Sequence, residues 1–230
     1  MDALTATCLT THCFCEEVHA TGLLQPVNSL SSLAFVVAGI AGVTIWLRLK
    51  NRKGLREAAL IIAFSLILVF IGTSSLYYHA TLSFFGQFLD VFSMYLFGTL
   101  LIFGALVRRG TLTIPKAVAL FVIVNVILGI AQFYYPEIRR VLFALVLLPG
   151  IVLEFLPKTT GKPITLKSVK YLLIGLALLV IAYVIWILDQ NNIVCLPGSF
   201  IQGHALWHIL GAAAGFMIIL HYLHTTKVRS

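Results

Sequence analysis

Seven long apolar runs, separated by short polar or basic links, divide the chain at about residues 28–48, 58–80, 84–106, 114–134, 140–157, 171–188 and 204–223. Each comes near the roughly 20 residues that a helix needs to cross a hydrocarbon core. Helix is expected in every run, because an open strand in lipid would leave backbone polar groups unsatisfied. Small residues such as Gly39, Gly42, Gly211, Ala212, Ala213, Ala214 and Gly215 suit close helix packing. Pro149 and Gly150 interrupt the fifth run and are expected to kink it. Little chain is left for a soluble domain, and no internal repeat or low-complexity tract is evident.

Composition points the same way. The chain is 60% hydrophobic and only 10% charged, with a mean hydropathy of +1.02, far from the average of water-soluble domains. The fold class expected is therefore all-α, an integral membrane bundle of seven transmembrane helices. The first 20 residues carry acids and cysteines but neither a basic n-region nor a continuous apolar run. A cleaved signal peptide is not expected, and the first span should direct insertion.

Charge gives an orientation. Of the 16 Lys and Arg residues, fourteen fall in alternate links or the tail: Arg48, Lys50, Arg52, Lys53 and Arg56; Arg108, Arg109 and Lys116; Lys158, Lys162, Lys167 and Lys170; Lys227 and Arg229. Only Arg139 and Arg140, beside Glu137, fall on the other side. Because basic residues stay cytoplasmic, the N-terminus is expected to be non-cytoplasmic and the C-terminus cytoplasmic. The domain plan is then a non-cytoplasmic N-terminal segment 1–26, a seven-transmembrane catalytic domain 27–224 and a cytoplasmic tail 225–230. The net charge of +8 requires no nucleic-acid partner, since basic links at a cytoplasmic leaflet face anionic lipid. The lipid bilayer is the expected surrounding, in the plasma membrane or an ER or Golgi membrane, and no obligate protein partner is evident.

All four cysteines fall on the non-cytoplasmic side of this layout: Cys8, Cys13 and Cys15 in the N-terminal segment, and Cys195 in the link 189–203. That compartment permits disulfides, and four cysteines allow three complete pairings. A bridge from the N-terminal segment to Cys195 would tie that segment over the end of the bundle. Free or locally paired thiols are the alternative. A zinc site built from these cysteines is disfavoured, since paired CxxC knuckles are lacking.

The costly side chains within the apolar runs are the candidate chemistry. His79 lies near the outer end of the second run, and Ser75 one turn deeper on the same face. Asp90 sits about two turns into the third run. His204 and His208, four apart, share a face at the start of the last run. All five belong to one leaflet at compatible depths. Three imidazoles suit zinc and leave a fourth position for water, as catalytic sites do. A zinc ion lowers the pKa of its water to about 7. Asp90 could then act as general base, and Ser75 could donate a hydrogen bond to a developing oxyanion. His221 and His224, at the opposite end, read as residues satisfied by local hydrogen bonds, and His12 and His19 as loop residues. Asn28, Ser29, Ser31 and Ser32 could cap the first helix or serve the site.

At these residues the sequence resembles the alkaline ceramidase family of integral membrane amidases, within a superfamily that includes adiponectin-type receptors and GPI-remodelling lipid hydrolases. The resemblance is carried by Ser75-Leu76-Tyr77-Tyr78-His79-Ala80-Thr81-Leu82, by Gln87-Phe88-Leu89-Asp90 with Met94, and by His204-Ala205-Leu206-Trp207-His208. It covers the whole seven-span layout. It implies one catalytic Zn2+ held by His79, His204 and His208, with Ser75 and Asp90 assisting hydrolysis of the ceramide amide to sphingosine and fatty acid. The Cys15-Glu16 pair resembles the family's Cys-Glu and favours Cys15 as the partner of Cys195. Val91 follows Asp90 where the family commonly has an acid, which leaves substrate details open. Animal members also carry an N-terminal calcium site. Glu16 and Asn28 could match parts of it, but Gln25 and Cys13 stand where acids are expected, which weighs against Ca2+.

Three functions compete on this reading. One is a zinc-dependent hydrolase acting on the amide of ceramide or a related N-acyl membrane lipid. A second is an ester-cleaving lipid hydrolase with the same metal centre. The third is a non-enzymatic adiponectin-type receptor, disfavoured because no soluble signalling segment is present.

Overall fold

A computed structural model describes residues 5–8, 14–49, 55–156 and 166–224. Cys13, the tail 225–230 and the basic residues Lys50, Arg52, Lys53, Lys158, Lys162, Lys227 and Arg229 lie outside them. The described residues are helical, apart from short links and one isolated bridge between Thr5 and Ser83. The helices are α1 (Pro26–Ser31), α2 (Leu33–Leu49), α3 (Leu55–Thr81), α4 (Phe84–Arg108), α5 (Ile114–Tyr134), α6 (Arg139–Phe155), α7 (Leu166–Gln190) and α8 (Gly203–His224).

Each of the seven apolar runs is thus a helix, with α1 and α2 together forming the first, Pro26–Arg48. Six are long and apolar enough to cross a membrane. The exception is α6, whose 17 residues span about 25 Å at 1.5 Å per residue, short of a hydrocarbon core of about 30 Å. Its helix continues through Pro149. Large apolar side chains on the outside of the bundle, including Val118, Val122, Val126 and Ile130 of α5, are about half exposed. Water would not tolerate so wide an apolar surface, and lipid would.

Helix α3 packs against α1, α2, α4 and α8. Its buried face supplies Ile61, Phe64, Leu68 and Ile71 to a core completed by Phe35, Leu101, Ala212, Ile219 and Tyr222. Close approach depends on glycine at two levels. A Cβ on Gly39 would stand 2.6 Å from the Ser65 carbonyl oxygen, and one on Gly72 would stand 2.8 Å from the Val36 backbone nitrogen. Gly72 is three residues before Ser75, so the tight packing of α3 on α2 continues directly beneath the candidate site.

The two ends of the bundle differ chemically. At one end, Arg108 of α4 pairs with Glu154 of α6, while Tyr222 donates to Glu154 Oε1 at 2.6 Å and His221 Nε2 lies 3.2 Å from its Oε2. Buried charge is tolerated there because each carboxylate oxygen has a partner. At the other end stand the two arginines that depart from the charge pattern. Arg139 reaches Thr7 and the Pro136 carbonyl, and Arg140 reaches Gln190 and lies over the Trp186 ring.

At that second end the N-terminal segment lies across the helix ends. Ala6, Cys8 and Phe14 pack with Tyr78 and Leu82, Thr7 donates to Gln87 Oε1, and Cys15 is bonded to Cys195. The bridge that joins the N-terminal segment to the link before α8 is therefore present. Cys195→Ser should lower the thermal stability of the detergent-solubilised protein by about 2–4 kcal/mol. Reductant should lower the wild-type melting temperature by at least as much, since Cys8 is disulfide-bonded as well.

Candidate metal centre

Two short backbone devices bring the predicted residues together. Helix α3 ends at Thr81 because Leu82 takes a left-handed conformation (φ 43°), and its buried side chain holds the turn in place. Ser83 then starts α4, its hydroxyl accepting from the Gly86 N–H at 3.1 Å, the usual service of a serine N-cap. This tight reversal sets the end of α3, with Ser75 and His79, beside the first turns of α4, with Asp90.

The start of α8 is fixed from α7. Asp189, almost fully buried, accepts the His204 backbone N–H on Oδ1 and the Cys15 N–H on Oδ2, at 3.2 and 3.3 Å. One carboxylate therefore satisfies an orphan donor of a helix N-terminus and anchors the disulfide segment over the same spot. In the sequence Asp189 is marked only as the lone acid at the end of an otherwise apolar run.

With α3 and α8 so placed, His79, His204 and His208 meet. All three are buried, and one nitrogen from each lies within 4.8 Å of those of the other two. Among the described residues this is the one cluster of three or more His, Cys, Asp or Glu side chains able to hold a metal ion. His79 Nε2 and His204 Nε2 face each other at 3.2 Å. Two imidazole ligands on a tetrahedral ion, at about 2.0–2.1 Å each, would stand about 3.3 Å apart. The three-imidazole donor set suits a tetrahedral metal ion, and the His79–His204 pair already stands at the spacing of two such ligands.

The rings are held from behind. His79 Nδ1 lies 2.8 Å from Gln25 Oε1, and His208 Nδ1 lies 2.9 Å from Ser31 Oγ and 3.4 Å from Ser32 Oγ. The Phe14 ring stacks on His204 with centroids 3.8 Å apart. His204 Nδ1 is buried and makes no hydrogen bond. Ser31 and Ser32, which the sequence leaves between capping and site roles, serve the site; their bonds to the Asn28 carbonyl run back along the chain and are not N-caps. Gln25, which the sequence shows only as a missing acid, is fully buried against the His79 ring.

Ser75 stands between the other participants. Its hydroxyl is 3.3 Å from His208 Nε2 and 3.0 Å from the Ser32 hydroxyl, and it also interacts with the Asp90 carboxyl. Ser75, Asp90 and the three histidines therefore share one chamber. His221 and His224 are at the far end, bonded to Glu154 and to the Leu220 carbonyl.

Glu16 has a different setting from that of a free metal ligand. Its two oxygens accept the N–H groups of Val27 and Asn28 at 2.6 and 2.8 Å, satisfying the first turn of α1. Burial raises its pKa above the usual carboxylate range, and those two donors partly offset the rise.

A family model described as Ceramidase matches residues 8–229 of this chain. The chain belongs to the ceramidase family. A Dictyostelium discoideum protein whose name places it with the alkaline ceramidases is 25% identical over 242 residues, covering 91% of this chain and 84% of its own length. A Caenorhabditis briggsae protein named alkaline ceramidase is 26% identical over 228 residues, covering 92% of this chain and 79% of its own. The resemblance read from the Ser75–Leu82, Gln87–Asp90 and His204–His208 stretches is thus one of family membership.

For this ceramidase-family chain the geometry makes a direct expectation about metal. The purified protein should carry about one divalent ion per chain, and His204→Ala should lose it while keeping the Cys15–Cys195 bridge. Elemental analysis of both proteins checks this. Undiminished metal in the variant would move the site elsewhere.

Proposed function

We propose that this protein is a zinc-dependent intramembrane amidase that hydrolyses ceramide, or a related N-acyl lipid, to a sphingoid base and a fatty acid. The observation that carries the reading is the buried convergence of three imidazoles from α3 and α8, in a chain that the ceramidase family covers almost entirely. His79, His204 and His208 are the zinc ligands, since three neutral imidazoles in a buried chamber suit that ion. Bound there, zinc supplies Lewis acidity, polarising the amide carbonyl and lowering the pKa of water to about 7.

The remaining work falls to the chain's own groups. The Asp90 carboxylate takes a proton from the attacking water as its oxygen bonds to the carbonyl carbon. The same proton passes to the sphingoid nitrogen as the C–N bond breaks, so that the leaving group departs as a neutral amine. Ser75 Oγ–H donates to the carbonyl oxygen as it gains charge. His79 and His208 are kept in register by Gln25, Ser31 and Ser32.

The same reading includes the membrane layout. Helix α6, the fifth in order, completes the seven spans, although short, because it is held at both levels of the bundle: Tyr95 donates to the Arg139 carbonyl at its start, and Arg108 pairs with Glu154 near its end. Seven crossings with the basic links inward set residues 1–26 and the metal chamber on the non-cytoplasmic side, and the tail 225–230 in the cytoplasm. A cysteine-accessibility assay on intact cells should label a cysteine introduced near the N-terminus and leave one introduced near the C-terminus unlabelled. The reverse pattern would overturn the orientation.

Substrate and mechanism share one experiment. Wild-type protein given a panel of ceramides and phospholipids should release free fatty acid and sphingoid base from ceramides only, as identified by product mass. Asp90→Asn should retain zinc and thermal stability while losing roughly 100-fold or more in turnover. Ser75→Ala should lose less, because the metal still polarises the carbonyl. Phospholipid cleavage would replace the amidase with an esterase. Full activity in Asp90→Asn would mean that another group is the base.

A further inference from the structure

Residues 24 and 25 run along the end of α3 and take up its last carbonyls. The Leu24 N–H donates to the Ala80 carbonyl at 3.2 Å, and the Gln25 N–H donates to the His79 carbonyl at 3.0 Å. These are carbonyls that a helix terminus leaves without intrahelical partners. Gln25 is thereby fastened to His79 through the backbone before its side chain is considered. Its amide then reaches the ring of the same residue, with Oε1 2.8 Å from His79 Nδ1.

The orientation of that amide is determined by its other end. Gln25 Nε2 donates to the Glu16 carbonyl at 3.3 Å. Turning the amide over would set two acceptor oxygens against each other at Glu16 and an N–H against the imidazole. With Oε1 as the atom facing the ring, Nδ1 must carry the hydrogen, because an amide oxygen only accepts. A neutral imidazole has one N–H, so Nε2 is left with its lone pair directed at His204 Nε2, 3.2 Å away.

We propose that Gln25 is a positioning residue for the metal: it fixes His79 as the Nδ1–H tautomer and aims the Nε2 lone pair into the three-histidine chamber. The proposal rests on the metal-binding reading given above and extends it to a residue outside the ligand set. It also accounts for an amide at a position where the family resemblance suggests an acid. Glutamine supplies the same acceptor to the ring without burying a negative charge, and its second hydrogen satisfies Glu16. Partners of this kind typically change metal affinity by about 10–100-fold when removed.

The test compares zinc affinity by chelator competition in wild type, Gln25→Met, Gln25→Glu and His79→Ala, together with the visible spectrum of the cobalt-substituted proteins. Gln25→Met keeps the length of the side chain but has no acceptor, and should weaken zinc binding by about 10–100-fold and shift the cobalt bands. Gln25→Glu restores the acceptor at the ring, though with an oxygen facing the Glu16 carbonyl, and should recover most of the affinity and of the band positions lost in Gln25→Met. Where the Met variant does not fold, Gln25→Ala carries the same expectation. Wild-type affinity and an unchanged cobalt spectrum in the folded Met or Ala variant would overturn the role of Gln25. Zinc bound undiminished by His79→Ala, or none bound by wild type, would instead overturn the metal reading itself.

Discussion

Two imidazole nitrogens that face each other at 3.2 Å in a buried chamber are the constraint around which this structure is arranged. Lone pairs so close repel unless a proton or a cation lies between them. The Nδ1 hydrogen of His79 is committed to Gln25, so the facing nitrogen of that ring can only accept. A cation shared with His204 and His208 satisfies all three rings at once. Burial then strengthens the arrangement, since no water competes for the nitrogens and the surrounding medium screens charge weakly.

Much of the rest of the chain serves to hold that convergence. The three imidazoles come from two helices, with His79 and His204 125 residues apart in sequence, and α3 and α8 share one core. The N-terminal segment adds a restraint at the site itself. Phe14 lies on the His204 ring, Cys15 is bonded to Cys195, and Asp189 ties Cys15 to the first turn of α8. Glu16 anchors the start of α1, which in turn delivers Gln25, Ser31 and Ser32 to two of the rings. At the other end the Arg108–Glu154–Tyr222–His221 cluster joins α4, α6 and α8, so the bundle is pinned at both levels.

The parts of this design legible in the sequence are those with a fixed local spacing. Ser75 and His79 one turn apart, and His204 and His208 likewise, announce shared helix faces, and seven apolar runs announce the bundle. What could not be read is whatever depends on contacts between distant segments. Asp189 acts across to residues 15 and 204, and no periodicity marks it. Gln25 looks like a loss relative to an acid, because its partner lies 54 residues away, in the last turns of another helix. Ser31 and Ser32 were ambiguous for a physical reason: a serine near a helix start bonds equally well to backbone and to a ring. Helix α6 was counted by its apolar character, yet its 17 residues fall short of a standard crossing, and its place depends on tertiary ties at both ends.

The central claim is that three imidazoles of this chain coordinate a zinc ion, and the coordination sphere itself is its most direct test. X-ray absorption at the zinc edge of the purified protein should report three imidazole nitrogens at about 2.0–2.1 Å and one further oxygen ligand. A sphere containing sulfur at about 2.3 Å, or fewer than three imidazoles, would contradict the account.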